Sequence, residues 1–342
     1  MATLQLRAPS LWRGAFHLDA GGIEAAASEV RSVDPVTHTL VGATLAQAGL
    51  KERTALGTAT LIIGSNLPDV DALAYFWGGD TALWFRRGLT HGLLALIVFP
   101  LVLTGLACLW DRAVRRRRGR SAAPVRPREV LLLSVLAVGV HVILDVLNSY
   151  GARWLAPFSG RWFYGDTLFI VDPWIWALLA AGLWASRRGS RGAKLALGAA
   201  TAYVLLMLLS TVAVRAFVER EARRAGLVPR RIMAAPVAVT PFERWVVVED
   251  GGGYRVGLFN WLPRPALQLD ELPYEVQPLH RAAALAVQEP AARKFLSWAR
   301  FPYYLVEEDA TGYRVHIGDA RYGVDPEESW AATSVRLPGR AK

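Results

Sequence analysis

The sequence contains a single cysteine among 342 residues, Cys108, and this residue lies inside an apolar run. A disulfide framework is therefore excluded, and cysteine usage gives no information about the redox compartment. The chain also lacks a glycine-rich phosphate-binding loop, a Gly-x-Ser-x-Gly nucleophile elbow and the spacing of a zinc finger. The functions that depend on those motifs are therefore not expected.

The first 32 residues also lack a continuous apolar core of signal-peptide length, so we expect no cleavable signal. Residues 1–32 are weakly patterned, and the patterned part of the chain begins at Val33. We interpret this tail as an N-terminal segment of the protein or, alternatively, as an extension upstream of its true start. Its two polar candidates, His17 and Asp19, are not expected to contribute to function.

Long apolar runs are what the sequence has in abundance, since 53% of its residues are hydrophobic and its mean hydropathy is +0.25. Three runs, at about 91–110, 130–147 and 193–214, have the length of membrane spans. A fourth, at about 168–186, is interrupted by an Asp-Pro pair. We therefore predict a mostly α fold, with a multi-span transmembrane helical bundle over residues 33–217.

The net charge of +10 comes from arginines that cluster beside the apolar runs, which fits a membrane protein better than a nucleic-acid-binding one. Eight arginines lie in the connection 111–128, and the connection 187–194 holds three more with one lysine. The positive-inside rule places both connections in the cytoplasm. Six arginines that follow the last run, between residues 215 and 231, oppose this orientation.

Two short helices are predicted at 35–50 and 54–66, each too short to cross a bilayer core of about 30 Å. Small residues in both favour a closely packed re-entrant or buried hairpin. Asp34 before Pro35 predicts a capped helix start. We interpret the aromatic loop 72–90 as an interfacial belt, with the wall of a lipid-facing pocket as the alternative.

Histidines and aspartates recur at the ends of the apolar segments, where an uncompensated charge is expensive. Asp69 and Asp71 follow Pro68, and His91 stands immediately before the first long run. Tracing the segments back and forth across the membrane brings all of these residues to one face. The set comprises His38, Asp69, Asp71, His91, His141 and Asp145.

His141 and Asp145, at i and i+4, share one helical face. Alone, such a pair is more often hydrogen-bonded than metal-binding. The convergence of the whole set within a membrane favours a divalent metal site, for zinc or alternatively manganese. Asp69 is predicted to be catalytic as a general base, or to be a further ligand. The predicted metal ligands are His38, Asp71, His91, His141 and Asp145.

Residues 151–174, between two apolar runs, combine arginines with aromatic residues, and this combination suits a phosphate or a lipid headgroup. An aromatic-belt loop is the alternative. We predict substrate binding at Arg87, Arg153 and Arg161, with membrane lipids as partners and a small-molecule or lipid substrate. Asp172, before a proline, is predicted to cap the next helix.

Residues 218–342 change character and predict a small soluble α+β domain. Alternating segments flank Asp250-Gly-Gly-Gly253 and Asp309-Ala-Thr-Gly312, which are hairpin signals. Residues 280–299 predict a helix that is broken by Pro290. His280 and His316 are interpreted as ordinary strand or surface residues.

Several motifs taken together resemble those of one known family. They are Asp34-Pro-Val-Thr-His38, Asn66-Leu-Pro-Asp-Val-Asp71, Arg87-Gly-Leu-Thr-His91 and His141-Val-Ile-Leu-Asp145. The pattern, which covers about residues 33–180, resembles the LexA-regulated family of bacterial inner-membrane metal-dependent hydrolases. The resemblance implies a multi-pass inner-membrane protein with a His/Asp metal centre. Many members have a histidine where this chain has Arg86, which bears on the number of metal ions.

The residues and the resemblance together predict an integral membrane metal-dependent hydrolase, in which a metal-activated water attacks an ester or a phosphoester. The alternative is a non-catalytic membrane transporter or scaffold with a structural His/Asp metal site. A transporter needs a polar path to the opposite face, and the cytoplasmic halves of the predicted spans contain no ionisable residue.

Overall fold

The computed structural model describes residues 4–6, 34–115, 124–327 and 329–339. His17, Asp19 and most of the N-terminal tail lie outside the described residues, as does part of the arginine-rich connection 111–128. The described chain divides into two compact units. The helical unit comprises Ser32–Ala74 and Phe85–Leu209, and the sheet unit comprises Tyr75–Trp84 and the chain from Ser210 onward, together with the strand Leu4–Leu6.

About half of the residues are helical, and the helices follow one another along the first two thirds of the chain. The α-helices are α1 (Pro35–Gln47), α2 (Gly57–Asn66), α3 (Gly79–Phe85), α4 (Leu93–Trp110), α5 (Pro127–Val146), α6 (Pro173–Ala185) and α7 (Arg191–Arg224). Short 3-10 segments lie at Leu50–Arg53, Leu67–Trp77, Leu89–His91 and Ser186–Arg188, and a π-helical turn, Asp111–Arg115, extends α4.

Three helices in the described part of the chain are long and apolar enough to cross a membrane: Leu93–Arg115, Pro127–Val146 and Arg191–Arg224. In the most apolar windows of the first and third, only 17% of the residues are buried within the protein. Their apolar side chains therefore need lipid as a solvent. These helices confirm that the three predicted runs are helical and long and apolar enough to span a membrane.

The fourth apolar run, at about 168–186, is helical only from the proline of the Asp-Pro pair that interrupts it. Its helix, α6, begins only at Pro173 and has 13 residues. At 1.5 Å per residue it is about 20 Å long, which is short of the roughly 30 Å hydrocarbon core. The helix starts there because Oδ1 of Asp172 accepts hydrogen bonds from the backbone N–H groups of Trp174 (3.0 Å) and Ile175 (3.2 Å), as the cap prediction required.

The two short N-terminal helices form the predicted closely packed pair. Asp34 caps α1 by accepting a hydrogen bond from the backbone N–H of Thr37 at 3.0 Å. Helix α1 packs on α2 and on α6, α2 packs on α5, and α5 packs on α4. A Cβ at Gly42 would lie 2.7 Å from the carbonyl oxygen of Leu61, so glycine is required where α1 crosses α2.

The segment predicted as an aromatic loop, 72–90, is instead mostly helical. It contains the end of the 3-10 segment Leu67–Trp77 and the whole of α3. Phe76 and Trp77 are exposed, with 85% and 72% of their surface accessible. The assignment of this segment to an interfacial belt stays a prediction.

The sheet unit contains two small sheets, which are antiparallel apart from one short pairing. The first has the order β1-β5-β4-β3-β2, and the second has the order β6-β7-β8. The strands are β1 (Leu4–Leu6), β2 (Pro229–Pro236), β3 (Glu243–Asp250), β4 (Gly253–Asn260), β5 (Ala266–Glu271), β6 (Pro302–Asp309), β7 (Gly312–Asp319) and β8 (Ala332–Pro338). The helices α8 (Arg281–Ala286) and α9 (Pro290–Leu296) lie between the two sheets in sequence.

Both predicted hairpins are present, and the predicted helix is broken at Pro290, which starts α9. In the first hairpin, Gly251 and Gly252 have φ of 54° and 109°, a conformation that the two-residue turn requires and that glycine adopts without strain. The sheet unit begins at Ser210, earlier than the predicted boundary, because Val214 and Val218 of α7 pack into the core of the first sheet.

Candidate metal centre

Four separate elements of the helical unit each deliver part of a buried polar cluster. His38 lies on α1, Asp69 on the 3-10 segment after α2, and His91 at the end of the 3-10 turn before α4. His141 and Asp145 lie one turn apart on α5. Each of these side chains is at most 7% exposed. The structure therefore brings together the residues that the sequence predicted would converge.

Asp69, His91, His141 and Asp145 form the tightest group, which we call the four-residue centre, since each offers one ligand atom within 4.8 Å of the others. Nε2 of His91 lies 3.0 Å from Oδ2 of Asp145 and 3.1 Å from Nε2 of His141. Nε2 of His141 lies 3.6 Å from Oδ2 of Asp145, and Asp69 is 3.9 Å from both histidines. Ligands bound to one tetrahedral ion at about 2.1 Å are roughly 3.4 Å apart, so the spacing fits an ion.

The tautomer of His141 follows from its outer hydrogen bond. Its Nδ1 lies 2.7 Å from the backbone carbonyl oxygen of Ser65, which can only accept. Nδ1 therefore carries the proton, and the neutral ring presents an unprotonated Nε2 to the centre.

The tautomer of His91 follows from a short chain of hydrogen bonds. The hydroxyl of Thr90 donates to Oδ2 of Asp71 at 2.6 Å, which uses its single proton. The same hydroxyl lies 2.9 Å from Nδ1 of His91 and must therefore accept from it. His91 is thus held with Nδ1 protonated, and a carboxylate behind a histidine is the arrangement common around metal ligands.

Nε2 of His91 and Nε2 of His141 lie 3.1 Å apart. Two lone pairs would repel each other at that distance, so either a proton on Nε2 of His91 or a metal cation must lie between the two nitrogens. Both carboxylate oxygens of Asp69 are buried without a hydrogen-bond partner among the described residues. A buried carboxylate is costly unless it is compensated. The residues present therefore fit a divalent ion held by the four-residue centre.

The pKa shifts of His91 and Asp69 also indicate that the cluster needs a positive charge. Burial alone would lower the pKa of His91, but hydrogen bonds with Asp145 and Asp71 outweigh it and raise the pKa to about 9. Burial, together with the neighbouring charge of Asp145, raises the pKa of Asp69 to about 6. The cluster thus retains a proton at neutral pH when no metal ion compensates its carboxylates.

The two neighbouring aspartates take different positions, and the geometry favours the alternative in which Asp69 is a ligand. Asp69 belongs to the four-residue centre, whereas Asp71, the predicted ligand, lies behind His91 at 3.4 Å from Nδ1. Oδ2 of Asp71 also accepts the backbone N–H of Arg87 at 2.7 Å. Burial raises the pKa of Asp71, but the hydrogen bonds from His91 and Thr90 outweigh it, so the net shift is downward. Asp71 therefore stays charged and orients His91.

The guanidinium of Arg87, which was predicted to bind substrate, contacts residues in and beside the four-residue centre. Its Nη2 donates to Oδ1 of Asp145 at 3.0 Å, and its Nε lies 3.0 Å from Oδ2 of the same carboxylate. Its Nη1 donates to Oδ1 of Asn148 at 2.9 Å. The backbone of Arg87 has φ of 49°, an uncommon conformation for a non-glycine residue, and it aims the N–H at Asp71. We therefore assign Arg87 to positioning Asp145.

The other two predicted substrate-binding arginines lie outside the cluster. Arg153 places its guanidinium 5.1 Å from the ring centre of Trp162, and its backbone N–H donates to the carbonyl of Arg87 at 2.8 Å. Arg161 is exposed, with its guanidinium 5.3 Å from the ring centre of Phe163. Their role in binding substrate stays a prediction.

His38 adjoins the four-residue centre without belonging to it. Its ring stacks on that of His141, with centroids 3.8 Å apart. It also lines a cavity of about 20 Å³, together with Asp34, Asp145, Asn148 and Asp172. That volume is enough for one water molecule.

Sequence reasoning missed several residues that orient the centre. Ser65 acts through its backbone carbonyl, so its side chain gave no signal. Thr90 stands inside a quoted motif and Asn148 follows another by three residues, and a polar side chain close to a predicted ligand was the available signal. Buried Arg86 lies 3.6 Å from Asp69 and 3.8 Å from Asp71, which offsets part of the negative charge.

The sheet unit contains a second group of potential ligands, Glu307, His316 and Glu327. Nε2 of His316 lies 3.1 Å from Oε2 of Glu307 and 4.0 Å from Oε1 of Glu327. His280, the other histidine of this unit, caps α8 by accepting the backbone N–H of Ala282 at 3.1 Å.

The chain belongs to the YdjM inner membrane protein family, which matches residues 33–214, or 182 of the 342 residues. This match confirms the predicted membership of a bacterial inner-membrane family, and with the three apolar helices it supports a membrane location. The chain is also similar to the uncharacterized protein YfhP of Bacillus subtilis (strain 168), with 25% identity over 166 residues. The matched part is 48% of this chain, and it spans only 42% of the length of that relative. No solved structure matches the chain significantly.

Proposed function

We propose that this inner-membrane protein is a metal-dependent hydrolase whose reaction takes place at the four-residue centre. The observation that carries the proposal is the pair of Nε2 atoms of His91 and His141, which face each other at 3.1 Å beside Asp69, a buried carboxylate without a hydrogen-bond partner among the described residues. A divalent ion held there, zinc or alternatively manganese, would act as a Lewis acid toward water and toward the oxygen of an ester or phosphoester.

The protein's own groups then have defined tasks. Asp71 and Thr90 hold Nδ1 of His91 in its protonated tautomer, and the carbonyl of Ser65 does the same for His141. Arg87 holds both oxygens of Asp145 and keeps that carboxylate ionised and oriented. Rigid support of this kind lets a centre act without reorganisation during the reaction.

The position of the centre supports a substrate with an apolar portion. His91 lies two residues before α4, and Asp145 lies one residue before the end of α5, so the centre sits at the ends of two apolar helices. A lipid ester or phosphoester would reach that depth more readily than a fully hydrated solute. Arg153 and Arg161 are the nearby predicted headgroup contacts.

In this proposal the three apolar helices cross the inner membrane, so the protein is multi-pass. The co-facial arrangement requires α4 and α5 to run in opposite directions, which the four-residue centre supports because it joins the start of α4 to the end of α5. The regulation by LexA that the family resemblance implies stays a prediction.

A structural, non-catalytic metal site is the second candidate, and the burial of the centre favours it. His91 and His141 are at most 1% exposed, and the adjoining cavity holds about one water molecule. A catalytic metal keeps a position open for water or substrate, whereas a structural one is closed by protein ligands.

The test is hydrolysis by the full chain, purified in detergent and presented in mixed micelles with a panel of phospholipids and chromogenic phosphoesters. The zinc-loaded and manganese-loaded protein should hydrolyse at least one member of the panel, and chelation should abolish that activity. His141→Ala removes a ligand, and His316→Ala is the matched control on a histidine of the sheet unit.

Activity that is lost in His141→Ala but retained in His316→Ala would support the hydrolase. Tight metal binding with no hydrolysis across the panel would instead favour the structural site. Hydrolysis that survives both chelation and His141→Ala would show that the activity does not come from this centre.

A further inference from the structure

Each aspartate of the four-residue centre has one oxygen nearer His91 and the other near His38. Oδ2 of Asp69 also lies 3.9 Å from Nε2 of His141, and Oδ1 of Asp145 also accepts a hydrogen bond from Arg87. Oδ2 of Asp145 lies 3.0 Å from Nε2 of His91, whereas its Oδ1 lies 3.5 Å from Nε2 of His38. Oδ1 of Asp69 lies 3.9 Å from Nε2 of His91, and its Oδ2 lies 4.0 Å from Nε2 of His38. His38 thus faces the same two carboxylates as His91, but through their other oxygens.

These separations do not describe a hydrogen-bonded histidine. A contact of 3.5 Å between Nε2 of His38 and Oδ1 of Asp145 is too long for a normal hydrogen bond. It is close to the roughly 3.4 Å that separates two ligands of one tetrahedral ion. Both oxygens of Asp69 also lack a hydrogen-bond partner among the described residues, so Asp69 has lone pairs for each side.

The other nitrogen of His38 supports the same interpretation. Its Nδ1 is buried and has no hydrogen-bond partner in the described part of the chain, and the residue is only 4% exposed. A buried polar nitrogen of this kind normally has a partner. The adjoining cavity, which His38 lines, has room for the one water molecule that would satisfy it.

The electrostatic surroundings on this side favour a cation. Asp34 and Asp172 line the cavity, and neither carboxylate has an arginine, lysine or histidine nitrogen within 4 Å among the described residues. Their oxygens cap α1 and α6, so they contribute negative charge rather than ligands. Two buried carboxylates that have hydrogen bonds but no cationic side chain beside them lower the energy of a positive ion nearby.

We propose that His38, Oδ1 of Asp145 and Oδ2 of Asp69 form a second divalent cation site that shares both carboxylates with the four-residue centre. The proposal rests on the metal centre of the proposed function and extends it to a two-ion centre. The mixed nitrogen and oxygen donors suit zinc or manganese, the same ion class as the first site. In two-ion hydrolytic centres the ions share the work of activating the nucleophile and stabilising the leaving group.

The experiment is metal stoichiometry on the full chain in detergent. The protein is stripped with chelator, loaded with Mn²⁺, freed of excess ion by gel filtration and analysed for manganese. The wild type should retain about two ions per chain, and His38→Ala about one, because only the second site loses its histidine. His316→Ala should also retain about two, which excludes the Glu307–His316–Glu327 group as the second site.

Electron paramagnetic resonance of the same samples is the second measurement. Two Mn²⁺ ions that share carboxylates give an exchange-coupled signal in the wild type, and His38→Ala should give the signal of an isolated ion. If His38→Ala does not fold, His38→Gln takes its place. The wild-type spectrum alone also tests the second site, because two ions that share carboxylates give an exchange-coupled signal.

One ion or none in the wild type, an unchanged count in His38→Ala, an uncoupled wild-type spectrum, or an ion lost in His316→Ala would each overturn the second site. These outcomes are separate from catalysis. Two coupled ions without hydrolysis of any substrate would support the second site and contradict the proposed function. Hydrolysis by a protein that binds one ion would support the proposed function and contradict the second site.

Discussion

The part of the chain that the structure describes contains two clusters of histidine and carboxylate, which differ mainly in burial. In the four-residue centre the side chains of Asp69 and Asp145 are 7% and 4% exposed. In the sheet unit the side chains of Glu307 and Glu327 are 45% and 58% exposed, around a His316 that is 9% exposed. Water solvates the second pair of carboxylates, so they need no ion. The first pair has lost that solvation and must be compensated.

Potential ligands that lie close together are therefore weaker evidence for a metal ion than potential ligands whose inner atoms have no satisfactory hydrogen-bond partner. His316 and Glu307 already satisfy each other at 3.1 Å. In the buried centre, the outer nitrogen of each histidine is held by Ser65 or Thr90, and the inner nitrogen faces Asp145. Hydrogen bonds that orient ligand side chains in this way distinguish a built site from a chance cluster.

The largest difference between the two clusters is expected when a histidine of each is replaced by alanine. His141→Ala should lose the bound ion and reduce any hydrolytic rate by about 100-fold or more, since it removes a ligand of the proposed centre. His316→Ala should change neither. Elemental analysis measures the bound metal, and the micelle assay measures the hydrolytic rate. Equal losses of metal and rate in the two variants would show that the clusters do not differ in metal binding.

Removal of the ion should destabilise the helical unit by a smaller amount. An ion present at 100 times its dissociation constant stabilises the folded state by about 2.7 kcal/mol. Chelation should therefore lower Tm of the detergent-purified protein, and added zinc should restore it. The same treatment should shift Tm of His141→Ala by less than it shifts Tm of the wild type; an equal shift in the two proteins would place the stabilising ion elsewhere.

Asp71→Asn sharpens the comparison within the centre. The change keeps the shape of the side chain but weakens its hold on Nδ1 of His91, so metal affinity should fall by about 10- to 100-fold without abolishing binding. Asp69→Asn should cost more, because it alters a ligand. Competition with a fluorescent zinc chelator measures both affinities, and the opposite order would restore Asp71 as the ligand.

Glu327→Gln, in the exposed cluster, should have the smallest effect. Its carboxylate is solvated and lies 4.0 Å from His316, so Tm and metal content should remain at wild-type values. Asp145→Asn is the buried counterpart, and it should lose metal and strand the guanidinium of Arg87. A loss of one ion in Glu327→Gln would mean that the exposed cluster is a metal site after all.

Several elements could be predicted because their signals are local. The caps Asp34 and Asp172, the apolar runs and the glycine-containing hairpin turn each depend on neighbouring residues or on periodicity. The start of α6 has the same local origin. The apolar run around it was long enough, but Asp172 and Pro173 start the helix inside that run and shorten it.

The sequence was enough to predict that histidines and aspartates would lie close together, since apolar segments that traverse a membrane return their polar ends to the same face. Which aspartate points into the centre and which supports a histidine depends on the tertiary structure. Asp69 and Asp71 are two residues apart and chemically identical, yet the packing of the segment after α2 turns Asp69 into the centre and Asp71 behind His91. Likewise, Arg87 became a partner of Asp145 rather than a free cation. Side-chain direction and the identity of outer hydrogen-bond partners are set by contacts between distant elements, and no local pattern encodes them.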